Sequence, residues 1–381
     1  MQIRNSSNDI KILKNPTTAS LPRGTGGRSS FNGKVCTIFG CTGFLGKYII
    51  SPLAKTGTQI IIPHCGNNYE AARLKVNGDL GQIIFLPMDL RDEDVIRNSV
   101  KYSNVVINLI GRNWETKNYT YKDVHVDGAA RIARICKESG VERLIHFSHL
   151  NASPQPKPIF KEGGSKVLKA KYYGEQAVKR EFPNVTIIRP SLIYGSGDEF
   201  MQAYCYSRWR RVMNNLLLYK MGKECIKMPI HGKDVGIGVA ACVEDPNTAG
   251  KTYQFVGEHA FILYDLMTWL IKKTNIHHKH INHVVVDSKY FFFYYTYLKI
   301  LESMPGAPIS RLCTECYEMD NTSDTVRPEL PMLEDLGIKQ ANFEAMAEFE
   351  IKYYNRFAIQ MVANRFNPYL PIPESVNDYN F

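Results

Sequence analysis

The chain has 381 residues, of which 44% are hydrophobic and 22% are charged, a composition that excludes wholesale disorder, a collagen-like repeat and a coiled coil. The length exceeds one typical domain of about 150 residues and suits a nucleotide-binding core with a smaller lobe. Lys and Arg number 47 against 37 Asp and Glu, so the formal net charge is +10, which suits a membrane surface, an acidic partner or a phosphorylated ligand equally well.

Residues 1–33 are predicted to be a basic N-terminal arm or a presequence. They carry five basic residues against one acidic residue, among many Ser, Thr and Gly. This composition favours a mitochondrial presequence, although a mobile basic arm would also have it. The start lacks the apolar segment of a secretory signal, and no stretch reaches the roughly 18 consecutive apolar residues of a transmembrane helix, so we do not expect an integral membrane protein.

From Lys34 onward, short β-branched runs alternate with amphipathic stretches, the pattern of a parallel sheet with crossover helices. Strands are predicted at residues 35–39, 59–62, 83–86, 105–110, 143–148 and 185–188, and helices at 45–56, 92–100, 121–139 and 166–181. The prediction is an α/β fold in which residues 34–200 form a Rossmann-type, doubly wound parallel sheet. Its ligand crevice should open at the carboxyl ends of the strands.

Beyond Gly195 the alternation weakens, and residues 201–340 are predicted to form a smaller, α-rich lobe. Helices are predicted there at 200–218, 232–243 and 263–273. Residues 341–381 are predicted to be a helical and extended tail. The aromatic run at 290–301 suits a helix and is either lobe core or a docking surface.

No metal site is predicted, although Cys and His residues cluster twice. Nine cysteines are scattered along the chain, which indicates a reducing compartment. Cys313 and Cys316 form the only CxxC pair, and no second pair follows at zinc-finger spacing. Four histidines between residues 277 and 283 surround Lys279, whose charge would repel a cation, so a solvated polar turn is expected there.

A glycine-rich turn connects the first predicted strand to the first predicted helix. Gly40, Gly43 and Gly46 have the spacing G-x-x-G-x-x-G. The first glycine allows a tight turn, the second lets backbone amides approach a pyrophosphate, and the third lets the helix pack closely on the strand. We therefore predict a dinucleotide-binding turn. Its predicted cofactor-binding residues are Gly40, Thr42, Gly43, Phe44, Leu45 and Gly46.

The residues after the second and third strands predict which dinucleotide binds. No carboxylate follows the second strand before Glu70, so nothing there would repel a 2'-phosphate, which favours NADP(H). The possible phosphate partners are Lys47, His64 and Arg73. Asp89, which precedes Leu90, could accept a hydrogen bond from the adenine amino group; the alternative is that it caps the next helix.

The glycine spacing and the later strands resemble the extended short-chain dehydrogenase/reductase superfamily, whose catalysis uses a Tyr, a Lys four residues later and a Ser. In the segment Lys171-Tyr172-Tyr173-Gly174-Glu175, Lys171 matches the lysine of that superfamily, which places Val167 at the tyrosine position. Valine cannot donate a proton, so no catalytic residue is predicted. Lys171 can still bind the hydroxyl groups of the nicotinamide ribose, because that needs only a cation.

The superfamily's serine is also displaced. Ser148 ends the fifth predicted strand, one position earlier than usual, and Leu150 or Asn151 occupies the catalytic place. Two other YxxxK matches, at 219–223 and 295–299, lie beyond the sheet and are interpreted as chance. The remaining predicted cofactor-binding residues, the last two from a segment that resembles the stretch lying against the nicotinamide, are Ile110, Gly111, Ser148, Lys171, Pro190 and Ile193.

Five further segments have a combination that is not general among dehydrogenases. They are Gly26-Gly27-Arg28-Ser29-Ser30, Phe44-Leu45-Gly46, Gly78-Asp79-Leu80-Gly81-Gln82, Asn108-Leu109-Ile110-Gly111-Arg112 and Leu333-Glu334-Asp335-Leu336-Gly337-Ile338. This combination resembles the dehydrogenase-like accessory subunit of mitochondrial respiratory complex I, alpha-subcomplex subunit 9 type. One departure is Cys65, which stands where that family often has an arginine; Arg73 is then the first candidate to meet a 2'-phosphate.

The resemblance implies a non-catalytic subunit that binds NADPH structurally. It implies a peripheral position on the matrix side of the mitochondrial inner membrane, with a role in assembly or stability near the junction of the matrix and membrane arms. The implied partners are other complex I subunits, with no nucleic acid. The alternatives are an active NADP-dependent reductase or epimerase of the extended short-chain type, and a redox-sensing binding protein.

Overall fold

The computed structural model describes residues 21–66, 68–201, 204, 211–212, 215–274, 285–287, 292–303, 313–351 and 371–376. A seven-stranded parallel sheet forms its centre. In spatial order its strands are β12 (Thr252–Phe255), β6 (Thr186–Pro190), β5 (Arg143–Phe147), β4 (Val105–Asn108), β1 (Val35–Phe39), β2 (Gln59–His64) and β3 (Ile83–Pro87). The strand order reverses between β1 and β4, which is the position where an open α/β sheet binds its ligand.

The remaining elements surround this sheet. The shorter strands are β7 (Ile193–Tyr194), β8 (Arg211–Val212), β9 (Asn215–Leu218), β10 (Ile226–Lys227), β11 (Ile230–His231), β13 (Phe261–Ile262) and β14 (Val285–Asp287). The α-helices are α1 (Gly46–Lys55), α2 (Asn68–Ala72), α3 (Glu93–Val100), α4 (Gly128–Glu138), α5 (Lys166–Glu181), α6 (Glu199–Met201), α7 (Gly232–Glu244), α8 (Leu263–Thr274), α9 (Phe292–Ser303), α10 (Thr314–Asn321) and α11 (Phe343–Ile351). A π-helix, Asp123–Asp127, leads into α4.

Helices cover both faces of the sheet, which explains why its inner strands are apolar along their length. On one face, Ile38 of β1 packs in a cluster with Ile49 of α1 and Val239 of α7. On the other face, Phe39 of β1 packs in a cluster with Ile132 of α4, to which α3 and α5 also contribute. The predicted α/β class with a doubly wound parallel sheet is therefore confirmed.

Residues 232–255 differ from the prediction, which placed them in the smaller lobe. Helix α7 packs against α1 in one helical layer, and β12 pairs in parallel with β6 as a seventh strand. With four residues, Thr-Tyr-Gln-Phe, β12 is too short for its apolar pattern to be distinguished from a helix or a loop. The main sheet thus takes a strand and a helix from beyond residue 200, and the other lobe boundaries stay predictions.

The predicted helix at 200–218 is wrong. In the described part of this region, the short α6 is followed by β8 and β9, which pair antiparallel, and β9 pairs in parallel with β14. Leu216 and Leu218 are buried with Phe261 and Leu270. Packing within this cluster overrides the helix-compatible spacing of the apolar residues.

Three predicted segments fall wholly or mostly outside the described residues: residues 1–20 of the basic arm, the histidine run at 277–283, and most of the tail after residue 351. Within the tail, Val376 donates its N–H to the carbonyl of Ala260 at 2.9 Å. None of the described helices is long and apolar enough to span a bilayer.

Helix α9 contains the described part of the aromatic run. Its Tyr294 and Leu298 are buried in a cluster with Tyr317. On another face of the same helix, Phe293 is 83% exposed and Ile300 is 52% exposed. The run is therefore lobe core on one side and exposed surface on the other.

Candidate dinucleotide-binding site

The glycine turn joins β1 to α1 at the switch point of the sheet. Gly40 has φ +73°, and a Cβ atom there would lie 2.8 Å from the backbone nitrogen of Ile110. Gly43 donates its N–H to the carbonyl of Gly40 at 3.3 Å, and Gly46 donates to Gly43 at 3.2 Å. A Cβ atom on Gly46 would come within 1.7 Å of the carbonyl oxygen of Cys41. The turn therefore has no room for a side chain at Gly40 or Gly46.

The first turn of α1 has the properties of an anion site. Leu45, its N-cap residue, makes no side-chain cap, and the first turn contains no acidic residue. Thr42 and Gly43 are exposed, and a Cβ on Gly43 would meet nothing closer than 3.4 Å, the Gly40 carbonyl oxygen. The positive end of the helix dipole thus faces an open cradle, which fits a pyrophosphate.

The three candidate phosphate partners are placed differently from one another. Lys47 donates from Nζ to the carbonyl of Ser196, and so its side chain is engaged by the β7–α6 loop. His64 is buried, and its Nδ1–H donates to the Gly66 carbonyl at 3.2 Å. Arg73 is exposed at the start of the 3₁₀-helix Arg73–Asn77. Of the three, Arg73 leaves the most cationic surface available to a ligand.

Asp89 follows β3 and is exposed. Its Oδ1 accepts the N–H of Arg91 and the hydroxyl of Tyr119, each at 2.9 Å, and these bonds lower the pKa of the carboxyl below its usual value. The alternative interpretation of Asp89 as a helix cap is wrong, because Asp92 caps α3 by accepting from Asp94 and Val95. The next residue, Leu90, is partly buried against the cluster around α4, and its carbonyl accepts from Arg131 at 2.7 Å.

At the end of β4, Ile110 and Gly111 were among the predicted cofactor-binding residues, whereas Asn108 was not. Asn108 is buried; its Nδ2 donates to Nδ1 of His146 at 3.3 Å, and its Oδ1 accepts the N–H of Ile110 at 3.0 Å. Gly111 is exposed, and a Cβ there would lie 3.5 Å from Cε1 of His125. These bonds fix the loop that passes over Gly40.

Ser148 and Lys171 meet at the carboxyl end of β5. Lys171 donates from Nζ to the carbonyl of Ser148 at 3.1 Å. The hydroxyl Oγ of Ser148 is buried and has no hydrogen-bond partner among the described residues. A buried hydroxyl group without a partner costs free energy, so this atom is ready to bind a ligand group.

Burial around Lys171 changes the pKa of this lysine and of two neighbouring histidines. Burial lowers its pKa to about 8, and the carboxylate of Glu175 opposes that shift. Burial, followed by the nearby Lys171 cation, lowers the pKa of both His125 and His146 to about 3. Both imidazoles are therefore neutral at physiological pH, and His125 uses its Nε2–H to donate to the Arg112 carbonyl at 2.9 Å. Isolated histidines in apolar segments gave no sequence signal for this role.

Val167 lies one helical turn before Lys171, and its side chain is fully buried. It packs in a cluster with Tyr121, Leu168 and Met319, the last of which belongs to α10. Tyr121 donates its hydroxyl to the Asn113 carbonyl at 3.2 Å, and burial raises the pKa of that hydroxyl. The position is thus apolar and covered.

The loop after β5 contacts the end of β6 and a residue shortly after α10. Leu150 donates its N–H to the carbonyl of Pro190 at 2.9 Å. Asn151 donates from Nδ2 to Asp324 at 3.1 Å. Ile193 lies in β7, paired with β11. Neither Leu150 nor Asn151 supplies a hydroxyl group in place of the missing catalytic serine.

This geometry fits a dinucleotide, because an open cradle, an uncapped helix N-terminus and a buried hydroxyl group without a partner follow the ends of β1 and β5. Residues 36–233 match the NAD dependent epimerase/dehydratase family. Over 327 residues the chain is 39% identical to the NADH dehydrogenase (ubiquinone) 1 alpha subcomplex subunit 9, mitochondrial, of Mus musculus, which covers 86% of this chain and 82% of the mouse protein. The chain belongs to the complex I alpha-subcomplex subunit 9 family.

A second relative aligns over nearly the whole chain. It is the NADH-ubiquinone oxidoreductase 40 kDa subunit, mitochondrial, of Neurospora crassa, 31% identical over 377 residues, which cover 97% of this chain and 89% of that protein. The resemblance predicted from the sequence segments is therefore confirmed.

Solved structures share the fold of this subunit 9 family member at low sequence identity. The protein gox2253 is 18% identical with a TM-score of 0.58, covering 88% of this chain and 100% of that chain. UDP-glucose 4-epimerase of Thermus thermophilus, in complex with NAD, is 14% identical with a TM-score of 0.57, covering 84% and 99%. These likenesses establish the fold alone.

Proposed function

We propose that the protein is a non-catalytic accessory subunit of mitochondrial NADH:ubiquinone oxidoreductase that binds NADPH as a structural ligand. The observation that carries this proposal is the pairing of an intact coenzyme cradle with the buried, apolar Val167 in front of Lys171. The named relatives support the assembly: both are subunits of mitochondrial NADH dehydrogenase by name. The protein is peripheral on the matrix side of the inner membrane, near the junction of the two arms, with other complex I subunits as its partners.

The coenzyme would be held by residues spread over five strand ends. The pyrophosphate would lie on the backbone of the glycine turn, from Gly40 to Gly46, and the adenine next to Asp89 and Leu90. Ile110 and Gly111 would line its middle, and the nicotinamide half would meet Ser148 and Lys171. Pro190 and Ile193 would border the nicotinamide ring.

The 2'-phosphate is assigned to Arg73. Its exposed guanidinium group can form two parallel hydrogen bonds to a phosphate. Lys47 is held by Ser196, and only one ring nitrogen of His64 is left for a ligand. The nearby Cys65 is exposed but carries no positive charge that could replace an arginine.

A bound nicotinamide coenzyme supplies the capacity for hydride transfer, but the chain has no proton donor at the position of the superfamily's tyrosine. General acid catalysis requires a donor within hydrogen-bond distance of the substrate. Val167 has no proton to give, and Met319 of α10 covers it. Coenzyme binding therefore serves stability: a ligand at about 100 times its dissociation constant adds about 2.7 kcal/mol to the free energy of unfolding.

Mass spectrometry of small molecules released from the purified, denatured complex tests the proposal. We expect NADPH in about one equivalent per chain. Release of NADH alone would contradict the assignment of the 2'-phosphate, and release of no dinucleotide would contradict structural binding altogether. Hydride transfer by the isolated chain that Lys171→Met abolishes would instead establish the reductase alternative.

Coenzyme affinity should fall as the pH rises through the pKa of Lys171. Below about pH 8 the ammonium group is charged and can bind the ribose hydroxyls; above it, the group becomes neutral. Between pH 7 and pH 9 the dissociation constant for NADPH should therefore increase by about threefold to tenfold. Fluorescence titration with NADPH measures the dissociation constant at each pH. The variant Lys171→Gln should bind NADPH more weakly, and its dissociation constant should not change with pH. The same slope in both proteins would exclude Lys171 as its origin.

The exposed face of α9 should contribute to assembly rather than to coenzyme binding. Phe293 and Ile300 lie seven residues apart, on one face of the helix, and are both largely exposed. Replacing both with Ser should reduce the amount of chain that co-purifies with the complex while leaving its NADPH content unchanged.

A matched control lies on the same helix. Tyr294 is buried in the lobe, so Tyr294→Ser should reduce folding and NADPH content together. If the Phe293 and Ile300 variant also loses its NADPH, this face is part of the lobe core and the docking assignment is wrong.

A further inference from the structure

The CxxC motif lies at the start of α10, and neither zinc nor the coenzyme accounts for it. Cys313 is the N-cap residue of the helix, and its Sγ accepts the N–H of Cys316 at 3.2 Å. The two Sγ atoms lie 2.7 Å apart, and both residues are buried. This separation lies between the length of a covalent S–S bond, about 2.05 Å, and an ordinary packing distance, so a small movement of either side chain brings the two sulfur atoms to bonding distance.

The residues around this pair anchor a second helix. Glu315, between the two cysteines, accepts from Oγ of Ser165 at 2.8 Å and from the N–H of Lys166 at 3.0 Å. It thereby caps α5, the helix that contains Lys171. One turn later, Glu318 accepts the N–H groups of Ile159 and Phe160. All eight residues of α10 are buried, so a change at its N-terminus acts on a packed element.

We propose that Cys313 and Cys316 are a thiol-modification site that forms a reversible intramolecular disulfide at the N-terminus of α10. The inference goes beyond the proposed coenzyme function and does not depend on it. The disulfide fixes the first turn of α10 and, through Glu315, the start of α5. The reduced pair leaves that turn held by hydrogen bonds alone.

The reaction needs a small disulfide, such as oxidised glutathione, as the electron acceptor. The helix N–H bonded to Cys313 favours negative charge on that sulfur, so Cys313 attacks first. Its thiolate forms a mixed disulfide, the S–S bond of the reagent breaks, and one thiol leaves. Cys316 then attacks the sulfur of Cys313 and releases the second thiol. Two protein thiols are oxidised to one disulfide, and one small disulfide is reduced to two thiols.

Two other cysteines in the described part of the chain lack these features. Cys36 and Cys41 also lie near each other along the sequence, but both are buried in the main core, and burial raises the pKa of each thiol. Neither is at the N-terminus of a helix. They therefore serve as internal controls for non-specific oxidation.

The test equilibrates the full-length chain in glutathione buffers from fully reduced to fully oxidised, for hours, because the buried pair reacts only when α10 opens. Acid quenching, denaturation in an alkylating reagent and peptide mass spectrometry then follow each cysteine. We expect a Cys313–Cys316 disulfide at the oxidised end and two alkylated residues at the reduced end, while Cys36 and Cys41 remain alkylated throughout. Alkylation of all four across the series, or equal oxidation of both pairs, would overturn the proposal.

A variant and a second readout complete the test. Cys316→Ser should accumulate the mixed disulfide of glutathione on Cys313, because the resolving sulfur is absent. The oxidised wild-type chain should also unfold at a higher temperature than the reduced chain, and the variant should lose this difference. If the variant does not fold, the alkylation series on the wild-type chain still shows whether the Cys313–Cys316 disulfide forms. An identical unfolding temperature for oxidised and reduced wild-type chains would contradict the fixing of α10.

Discussion

Replacing Arg189 with methionine is expected to lower the free energy of unfolding by about 3–5 kcal/mol, because it leaves a buried carboxylate without its counter-charge. Arg189 donates to Glu175 through two bonds, Nε to Oε1 at 2.9 Å and Nη2 to Oε2 at 2.6 Å. Glu175 is fully buried on α5, one turn beyond Lys171. Denaturant unfolding monitored by circular dichroism measures the loss.

The double variant Glu175→Met with Arg189→Met is the control. Removing both charges removes the unpaired carboxylate, so most of the lost stability should return. A double variant as unstable as the single one would show that packing, and not the uncompensated charge, caused the loss. Surface pairs such as Arg97 with Asp94 should cost less than about 1 kcal/mol when broken.

Replacing Gly46 with alanine should both destabilise the chain and weaken dinucleotide binding. The added Cβ would lie 1.7 Å from the carbonyl oxygen of Cys41, a backbone atom that cannot rotate away. The start of α1 must then shift, at a cost of about 3 kcal/mol, and this shift moves the backbone amides of the pyrophosphate cradle out of place and weakens binding. Calorimetric titration with NADPH and denaturant unfolding measure the two effects.

Gly43→Ala separates binding from folding within the same turn. A Cβ on Gly43 would lie 3.4 Å from the Gly40 carbonyl oxygen, an ordinary contact, so the free energy of unfolding should change little. The same methyl group would occupy the open cradle, and NADPH binding should weaken. Unchanged affinity in Gly43→Ala would show that the coenzyme does not lie on this turn.

The strands and helices on either side of the glycine turn could be predicted because local pattern and final environment agree there. β1 was predicted to the residue, and α5 likewise, since its apolar spacing and the Ser165 cap act locally. The helix prediction at 200–218 failed because β9 in this segment pairs with β14, which lies about 70 residues further along the chain. A pairing so distant leaves no trace in the segment itself.

The candidate site divides in the same way. Gly40, Gly43 and Gly46 could be recognised from their spacing between a strand and a helix, and backbone sterics require glycine at Gly40 and Gly46. His125, His146 and Glu315 could not, because their roles come from burial next to Lys171 and α5, which only the packed structure reveals. Residue chemistry alone does not predict membership of a larger complex. That prediction came from the resemblance to a complex I subunit.

In two of the segments that carry the resemblance, the structure shows what individual residues do. Gln82 donates to the carbonyls of Ala54 and Thr58 at 2.9 and 3.0 Å, which fixes the loop before β3. A Cβ on Gly57 would lie 2.5 Å from the Ser30 carbonyl oxygen, so the loop before β1 rests directly on the backbone. Both loops lie at the amino ends of strands, on the opposite edge of the sheet from the coenzyme crevice.

The contact between Glu315 and Ser165 joins residues 150 positions apart, and this distance orders events during synthesis. The glycine turn, α5 and the first six strands leave the ribosome well before α10 has been made. The start of α5 therefore gains its bonds to Glu315 only after α10 has been made, and the chain cannot complete this packing before most of its length has been synthesised.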